Sequence, residues 1–213
     1  MKSFLVIGLS TFGKHLCREL TKQNCEVMVV DNDPVVIEAA LPDVSSAKVG
    51  NCTDEAVLAS FDIPSFDACF VCVGSDFQAS LEIISLLSEM GAKKVYGKAE
   101  NDTQAKFFLR NGADGIIFPE RDEAKRIAFR VSSETIFDCI PLTEEYSIFE
   151  IDTLEKWKGH SIIDLDFRRK YNMSILAVKK GGEVFPMPPA DYIFTESEHI
   201  IVLARPEDVK KLK

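Results

Sequence analysis

Lys2-Ser3-Phe4-Leu5-Val6-Ile7-Gly8-Leu9-Ser10-Thr11-Phe12-Gly13, running on into Lys14-His15-Leu16-Cys17-Arg18-Glu19-Leu20, decides the fold. Phe4 to Ile7 is a short apolar run, the pattern of a strand buried on both faces. Leu16 and Leu20 fall at helical spacing after Gly13, so a helix begins near the end of the turn. Strand, glycine turn and helix in that order gather free backbone N–H groups and the positive end of a helix dipole at one point, where an anion gains about 0.3–1 kcal/mol from the dipole alone. Val27-Met28-Val29-Val30-Asp31 supplies a second buried strand ending in a carboxylate, 18 residues after Gly13. A dinucleotide-binding fold places there the acid that accepts the ribose hydroxyls. The turn departs from G-x-G-x-x-G at its middle position, which is Ser10; a Cβ there restricts the approach of a pyrophosphate, while its hydroxyl offers a donor.

Working outward, apolar runs and helical periods alternate. Short runs at Ala47–Gly50, Asp67–Val73, Lys94–Ala99 and Gly115–Phe118 are read as further strands, with helices between them. Thr53 is expected to cap the helix after the third strand, and Gly112 to close the helix after the fifth. Strict alternation predicts an α/β, Rossmann-like, doubly wound parallel sheet of order 3-2-1-4-5-6. In such a sheet Gly8–Gly13, Asp31, Asn51–Thr53 and Val73–Ser75 converge on the crevice between the first and fourth strands.

A helix is expected from Pro119, with Ala124, Ile127, Ala128 and Val131 on one stripe, a break at Ser132-Ser133, and a second short helix to about Cys139. After Ile140-Pro141 the pattern becomes that of a small α+β domain. Tyr146–Ile151 is expected as a strand, Ser161–Tyr171 as an amphipathic helix, Ser174–Lys180 and Glu183–Phe185 as a hairpin over Gly181-Gly182, and His199–Ala204 as a last strand. The expected organisation is 1–119, a connecting helix pair over 120–140, and 141–213.

At 213 residues and net charge −9, with no basic stripe, the chain is expected to have no nucleic-acid partner. Its apolar runs are too short to span a bilayer and its first residues lack a signal-peptide pattern, so direct membrane insertion is not expected. Six cysteines are scattered; only Cys69-Phe70-Val71-Cys72 looks like a motif, and on a strand its two thiols point to opposite faces, as small core residues in a reducing cytoplasm do.

Taken together, Val6-Ile7-Gly8-x-x-x-Phe12-Gly13, Val30-Asp31, Asn51-Cys52-Thr53, Lys98-Ala99 and a small domain with Gly159-His160-Ser161-Ile162-Ile163-Asp164-Leu165, Ile175-Leu176-Ala177-Val178-Lys179 and Val202–Asp208 resemble the cytoplasmic RCK (KTN, TrkA/KtrA-like) proteins of bacterial Ktr and Trk potassium uptake systems. The resemblance covers essentially the whole chain. It implies a cytoplasmic regulatory subunit, held at the inner face of the cell membrane by a potassium channel or transporter subunit, with homodimers assembling into a ring, an octamer by family precedent. It implies an adenine nucleotide (NAD, NADH, ATP, ADP or AMP) in the first domain, with phosphates on Gly8, Ser10, Thr11, Phe12 and Gly13 and the ribose on Asp31. Asn32, Asp33, Asn51, Cys52 and Thr53 would border the adenosine, and Val73, Gly74, Ser75 and Lys98 would close the cleft. Glu120 matches a family acid that in some members helps hold a divalent or monovalent cation near the ligand. Thr11 stands where members that select ATP carry an arginine, which turns the expectation toward a dinucleotide or ADP/AMP. In some members the small domain takes cyclic di-AMP; Ile163, Arg168, Asn172, Ile175 and Pro188 are the candidates, although core isoleucines, a solvated arginine and a turn proline are the plainer account of them.

The rival reading is an NAD(P)-dependent oxidoreductase with a small second domain, since the cleft is the same. His15, His160 and His199 fall on the first helix, in a loop and at a strand start, and no Tyr-x-x-x-Lys pair is present. With catalytic slots empty, a non-enzymatic sensor is the expectation.

Overall fold

The six apolar runs of the first half become six parallel strands in a computed structural model that describes residues 1–132 and 135–212. The chain divides into two units, Met1–Arg121 and Asp122–Lys213. In the first, the elements run β1 (Ser3–Ile7), α1 (Thr11–Lys22), β2 (Glu26–Asp31), α2 (Pro34–Ala40), β3 (Ser46–Val49), α3 (Glu55–Ala59), β4 (Ala68–Val71), α4 (Phe77–Glu89), β5 (Val95–Lys98), α5 (Asp102–Arg110) and β6 (Gly115–Ile117). Their order is β3-β2-β1-β4-β5-β6, as the alternation predicts. A doubly wound sheet needs an apolar side chain on both faces of every central strand. Leu5, Ile7, Cys69 and Val71 accordingly pack with Leu58, Ile84, Leu87 and Phe108 on one side. Val6, Val27, Val29 and Cys72 pack with Leu9, Cys17 and Ile37 on the other. Cys69 and Cys72 therefore sit in different cores, and burial pushes both thiols up to about 12, where they stay protonated.

Local capping differs from expectation at one place. The cap of α3 is Asp54, whose carboxylate accepts from Ala56 N–H at 2.9 Å. Thr53 instead turns its hydroxyl onto Asn51 Oδ1 at 2.9 Å, closing the turn before the helix. Gly112 follows the end of α5 at φ +105, a left-handed conformation suited to glycine.

α6 (Pro119–Val131) crosses the boundary between the two units. Ile127 and Val131 on its apolar stripe are 42% and 73% exposed. The expected break at Ser133 lies outside the described residues. The second connecting helix is corrected: Ile136–Pro141 is a strand, β7, paired antiparallel with β8 (Ser147–Asp152). Ile136 and Cys139 are buried against Phe149 and Ile151, so pairing and burial override a stretch with little local preference.

The second unit continues with α7 (Phe167–Tyr171), β9 (Ser174–Lys180), β10 (Glu183–Pro186), β11 (Glu198–Ala204) and α8 (Pro206–Val209). Its sheet is β10-β9-β11-β8-β7, antiparallel throughout. Only the last part of the expected helix over 161–171 forms. Ser161 bridges to Ile193, and Asp166 and Asn172 bound α7 in left-handed conformations. Trp157, fully buried, anchors this side against Phe167 and Tyr171.

A buried carboxylate pins the loop that leads into β11. Glu198 is 1% exposed and accepts hydrogen bonds from Thr195 N–H at 3.0 Å, the Thr195 hydroxyl, Tyr192 O–H at 3.0 Å and Lys180 Nζ at 3.2 Å. Burial by itself would raise its pKa; the Thr195 hydroxyl and amide, Lys180 and Tyr192 outweigh that and hold it below the ordinary carboxylate value. A depressed folded-state pKa contributes stability that is present above the unfolded value near 4.3 and lost as pH falls through the folded value. Glu198→Gln is expected to cost about 1.5–3 kcal/mol at neutral pH and to flatten the acid limb of stability. Urea unfolding followed by circular dichroism from pH 3 to 7 checks both; an unchanged acid limb would show that Glu198 does not carry this linkage.

Candidate functional site

The C-terminal ends of β1, β2 and β4 and the turns that follow them enclose a cleft of about 230 Å³. Its wall is formed from Gly8, Asp31, Asn32, Asn51, Cys52, Thr53 and Val73, seven of the residues expected there. Ile7, Val30 and Gly50, with Asp76 at the N-cap of α4 and Ala79 and Ile83 on that helix, complete it. Two glycines let the backbone close up behind this cleft. Gly8 has φ +86, and a Cβ there would lie 2.7 Å from Val73 Cα and 2.8 Å from the Cys72 carbonyl carbon. A Cβ on Gly13 would lie 2.5 Å from Gly8 O, so α1 leaves the turn in direct contact with it.

Asp31 is the hub. Its Oδ2 accepts from Leu9 N–H at 2.7 Å and its Oδ1 from Asp33 N–H at 3.0 Å, tying the glycine turn to the end of β2. An ionised carboxylate has about four lone-pair positions, so acceptor capacity is left facing the cleft. The Cys52 thiol, raised to about 12 by burial and by the neighbouring Asp31 charge, is neutral. Ser10 is the N-cap of α1, its Oγ 3.5 Å from Gly13 N, a long and weak contact. Thr11 and Phe12 form the first turn of α1, and their N–H groups have no partner among the described residues. A 12-residue helix opening on such a turn can receive an anion.

Other expected residues lie off the cleft wall. Asp33 caps α2 by accepting from Val35 N–H at 2.8 Å. Gly74 and Ser75 are exposed in the turn before α4, and a Cβ on Gly74 would meet nothing within 4 Å. Lys98, nearly buried at the end of β5, pairs with Glu120 Oε1 at 2.8 Å, and this ion pair lowers the Glu120 pKa. No group of three or more His, Cys, Asp or Glu side chains able to hold a metal occurs among the described residues. Asp76 was not anticipated, although an acid directly before a helical period is a capping signal; it accepts from Ala79 N–H at 2.9 Å and brings a second carboxylate to the cleft.

In the second unit, Ile163, Arg168, Ile175 and Pro188 line one shallow groove with Phe167 and Met173. Asn172 faces a neighbouring hollow beside Lys170 and Tyr171. The core account of the isoleucines is corrected for Ile163, which is 66% exposed.

With this geometry in hand, the chain can be placed among known proteins. Residues 4–119 match the TrkA-N domain and residues 146–213 the TrkA-C domain. Ktr system potassium uptake proteins C and A of Bacillus subtilis (strain 168) are 36% and 35% identical to the chain over 212 residues, covering 100% of it and 96% of each relative. The solved structure of the GsuK channel bound to NAD superposes with a TM-score of 0.68 at 15% identity, covering 97% of this chain and 38% of that one, a likeness of fold. No helix among the described residues is long and apolar enough to cross a membrane. Both halves and the full-length identity agree: the chain belongs to the TrkA-N/TrkA-C (RCK) family, that of the Ktr potassium uptake proteins.

Proposed function

We propose that this chain is the nucleotide-sensing regulatory subunit of a potassium uptake system, and that an adenine nucleotide in the first unit's cleft gates a membrane channel or transporter subunit. The observation that carries this reading is the convergence of Gly8, Asp31, Asn51–Thr53 and Val73 on one cleft at the point where the strand order reverses. The phosphates lie on the α1 first turn, the ribose on Asp31 and the adenine between Asn32 and Thr53. Thr11 brings no cation to the phosphates, and Asp76 adds negative charge. Both favour NAD, NADH, AMP or ADP over ATP. Homodimers build a ring beneath the membrane partner, with Glu120 contributing to a cation site completed by a second protomer. The groove at Ile163 and Arg168 takes cyclic di-AMP.

Sensing rather than turnover is favoured by the wall itself. Among its described residues the titratable groups are Asp31, Asp76 and the neutral Cys52 thiol, and no His, Tyr or Lys is positioned as an acid–base partner for hydride transfer. A coupling of about 1–3 kcal/mol per site is typical of allostery and suffices when sites act together in a ring.

Calorimetry with ATP, ADP, AMP, NAD and NADH tests the reading; binding of none of them at tens of micromolar would overturn it. NADH oxidation with candidate carbonyls would instead establish the oxidoreductase. Thr11→Arg places a guanidinium at the helix start and is expected to raise affinity for ATP relative to AMP about five-fold, measured in the same titrations.

A further inference from the structure

We propose that a cavity behind the glycine turn, between α1 and α2, is a second ligand site for a small aromatic or branched apolar carboxylate, and that its occupancy is transmitted to the nucleotide cleft through Leu9. The second step rests on the nucleotide reading above; the first does not.

The cavity measures about 130 Å³ and lies on the face of the sheet opposite the cleft. Its body is apolar: Leu9, Cys17, Val36, Ala39, Ala40 and Val44. Burial pushes the Cys17 thiol up to about 12, so that wall is uncharged. An engineered apolar cavity of roughly 150 Å³ stays dry and binds benzene, so a single ring or branched chain matches this volume. The charged groups are three: Lys14, Arg18 and Asp43. Arg18 gives its Nε to Asp43 Oδ2 at 2.6 Å, leaving its terminal nitrogens without a partner among the described residues. Lys14 makes no ion pair among the described residues. Two cations against one carboxylate leave a net positive rim around an apolar hollow, the chemistry that selects an apolar acid over a neutral hydrocarbon or an amine.

Leu9 joins the two sites. Its side chain, 4% exposed, forms part of the cavity wall, and its N–H donates to Asp31 in the cleft. A ligand pressing on Leu9 therefore acts on the bond that sets the position of the ribose-binding carboxylate.

Benzoate is the probe, with benzyl alcohol as the neutral isostere and acetate as the acid without a ring. Ligand-observed NMR on the full chain without nucleotide is expected to show benzoate binding in the millimolar range, benzyl alcohol more weakly and acetate not at all. Ala39→Leu fills the hollow from an exposed helix position and should abolish benzoate binding. Lys14→Gln should weaken benzoate about three-fold and leave benzyl alcohol unchanged. No benzoate binding at about 10 mM, or equal binding to Ala39→Leu, would overturn the site. Saturating benzoate should then shift AMP affinity at least two-fold in the parent and not in Ala39→Leu. Benzoate binding with unshifted AMP affinity would overturn the transmission alone, whereas failure of AMP, ADP, ATP, NAD and NADH alike to bind would overturn the nucleotide reading and leave the cavity standing.

Discussion

Gly8→Ala is expected to destabilise the first unit by about 2–5 kcal/mol, and Gly74→Ala, in the exposed turn before α4, to stay within about 0.5 kcal/mol. The difference comes from what each Cβ would meet. At Gly8 the backbone is at φ +86, a conformation that costs an L-residue roughly 1–2 kcal/mol. The added carbon would also sit 2.7 Å from Val73 N and Cα, and these are backbone atoms that cannot swing aside. Relief requires β1 to move from β4, yet Cys72 N–H donates to Ile7 O at 2.7 Å, so the movement also breaks a sheet bond. The remainder of the cost is that of overpacking, roughly 1–3 kcal/mol. Gly74 faces open space. Urea unfolding of the two variants, followed by circular dichroism because the single tryptophan lies in the second unit, measures the contrast. Equal midpoints for Gly8→Ala and the parent would mean that the turn is not packed as described.

The same turn explains how far the sequence could be read. Gly8, the apolar run before it and Asp31 after the second run each carry a local constraint that tertiary structure then obeys, so sheet order and cleft position were legible. What escaped depends on partners distant in the chain. Ile136–Pro141 has no strong period of its own and becomes a strand because β8 lies beside it to pair with. Ser161–Asp166 has a helical pattern but leaves helical geometry where Ser161 meets Ile193 and Asp166 turns left-handed. Thr53 and Asp54 are adjacent caps of similar quality, and which one is used turns on Asn51 claiming the threonine hydroxyl. Asp76 was hidden because its signal is a capping signal, while its reach into the cleft depends on where α4 docks. Lys98 and Glu120 were each placed near the ligand, but their ion pair at 2.8 Å is a contact across 22 residues that no local rule foretells.

Asp31→Ala is expected to weaken nucleotide binding at least ten-fold, and Asp31→Asn by less. The carboxylate serves two ends at once. Toward the protein it accepts from Leu9 and Asp33 N–H groups; toward the ligand it accepts from ribose hydroxyls in the proposed complex. Alanine removes the ribose acceptor, a hydrogen bond to a charged group worth about 1.5–3 kcal/mol, which is about a ten-fold or larger loss in affinity. It also frees Leu9 N–H, so the glycine turn loses the bond that fixes its distance from β2, and affinity falls further through a less ordered phosphate site. Asparagine keeps one oxygen, which can hold Leu9 N–H, but its amide nitrogen faces Asp33 N–H donor to donor. The ribose contact is then weakened while the turn stays in place. Titration of AMP and NAD into parent, Asp31→Asn and Asp31→Ala should therefore give affinities in that descending order, with the Asp31→Ala loss shared by both ligands because both present the same adenosine ribose. Parent-like affinity in Asp31→Ala would remove the ribose from β2 and require a different pose for the nucleotide.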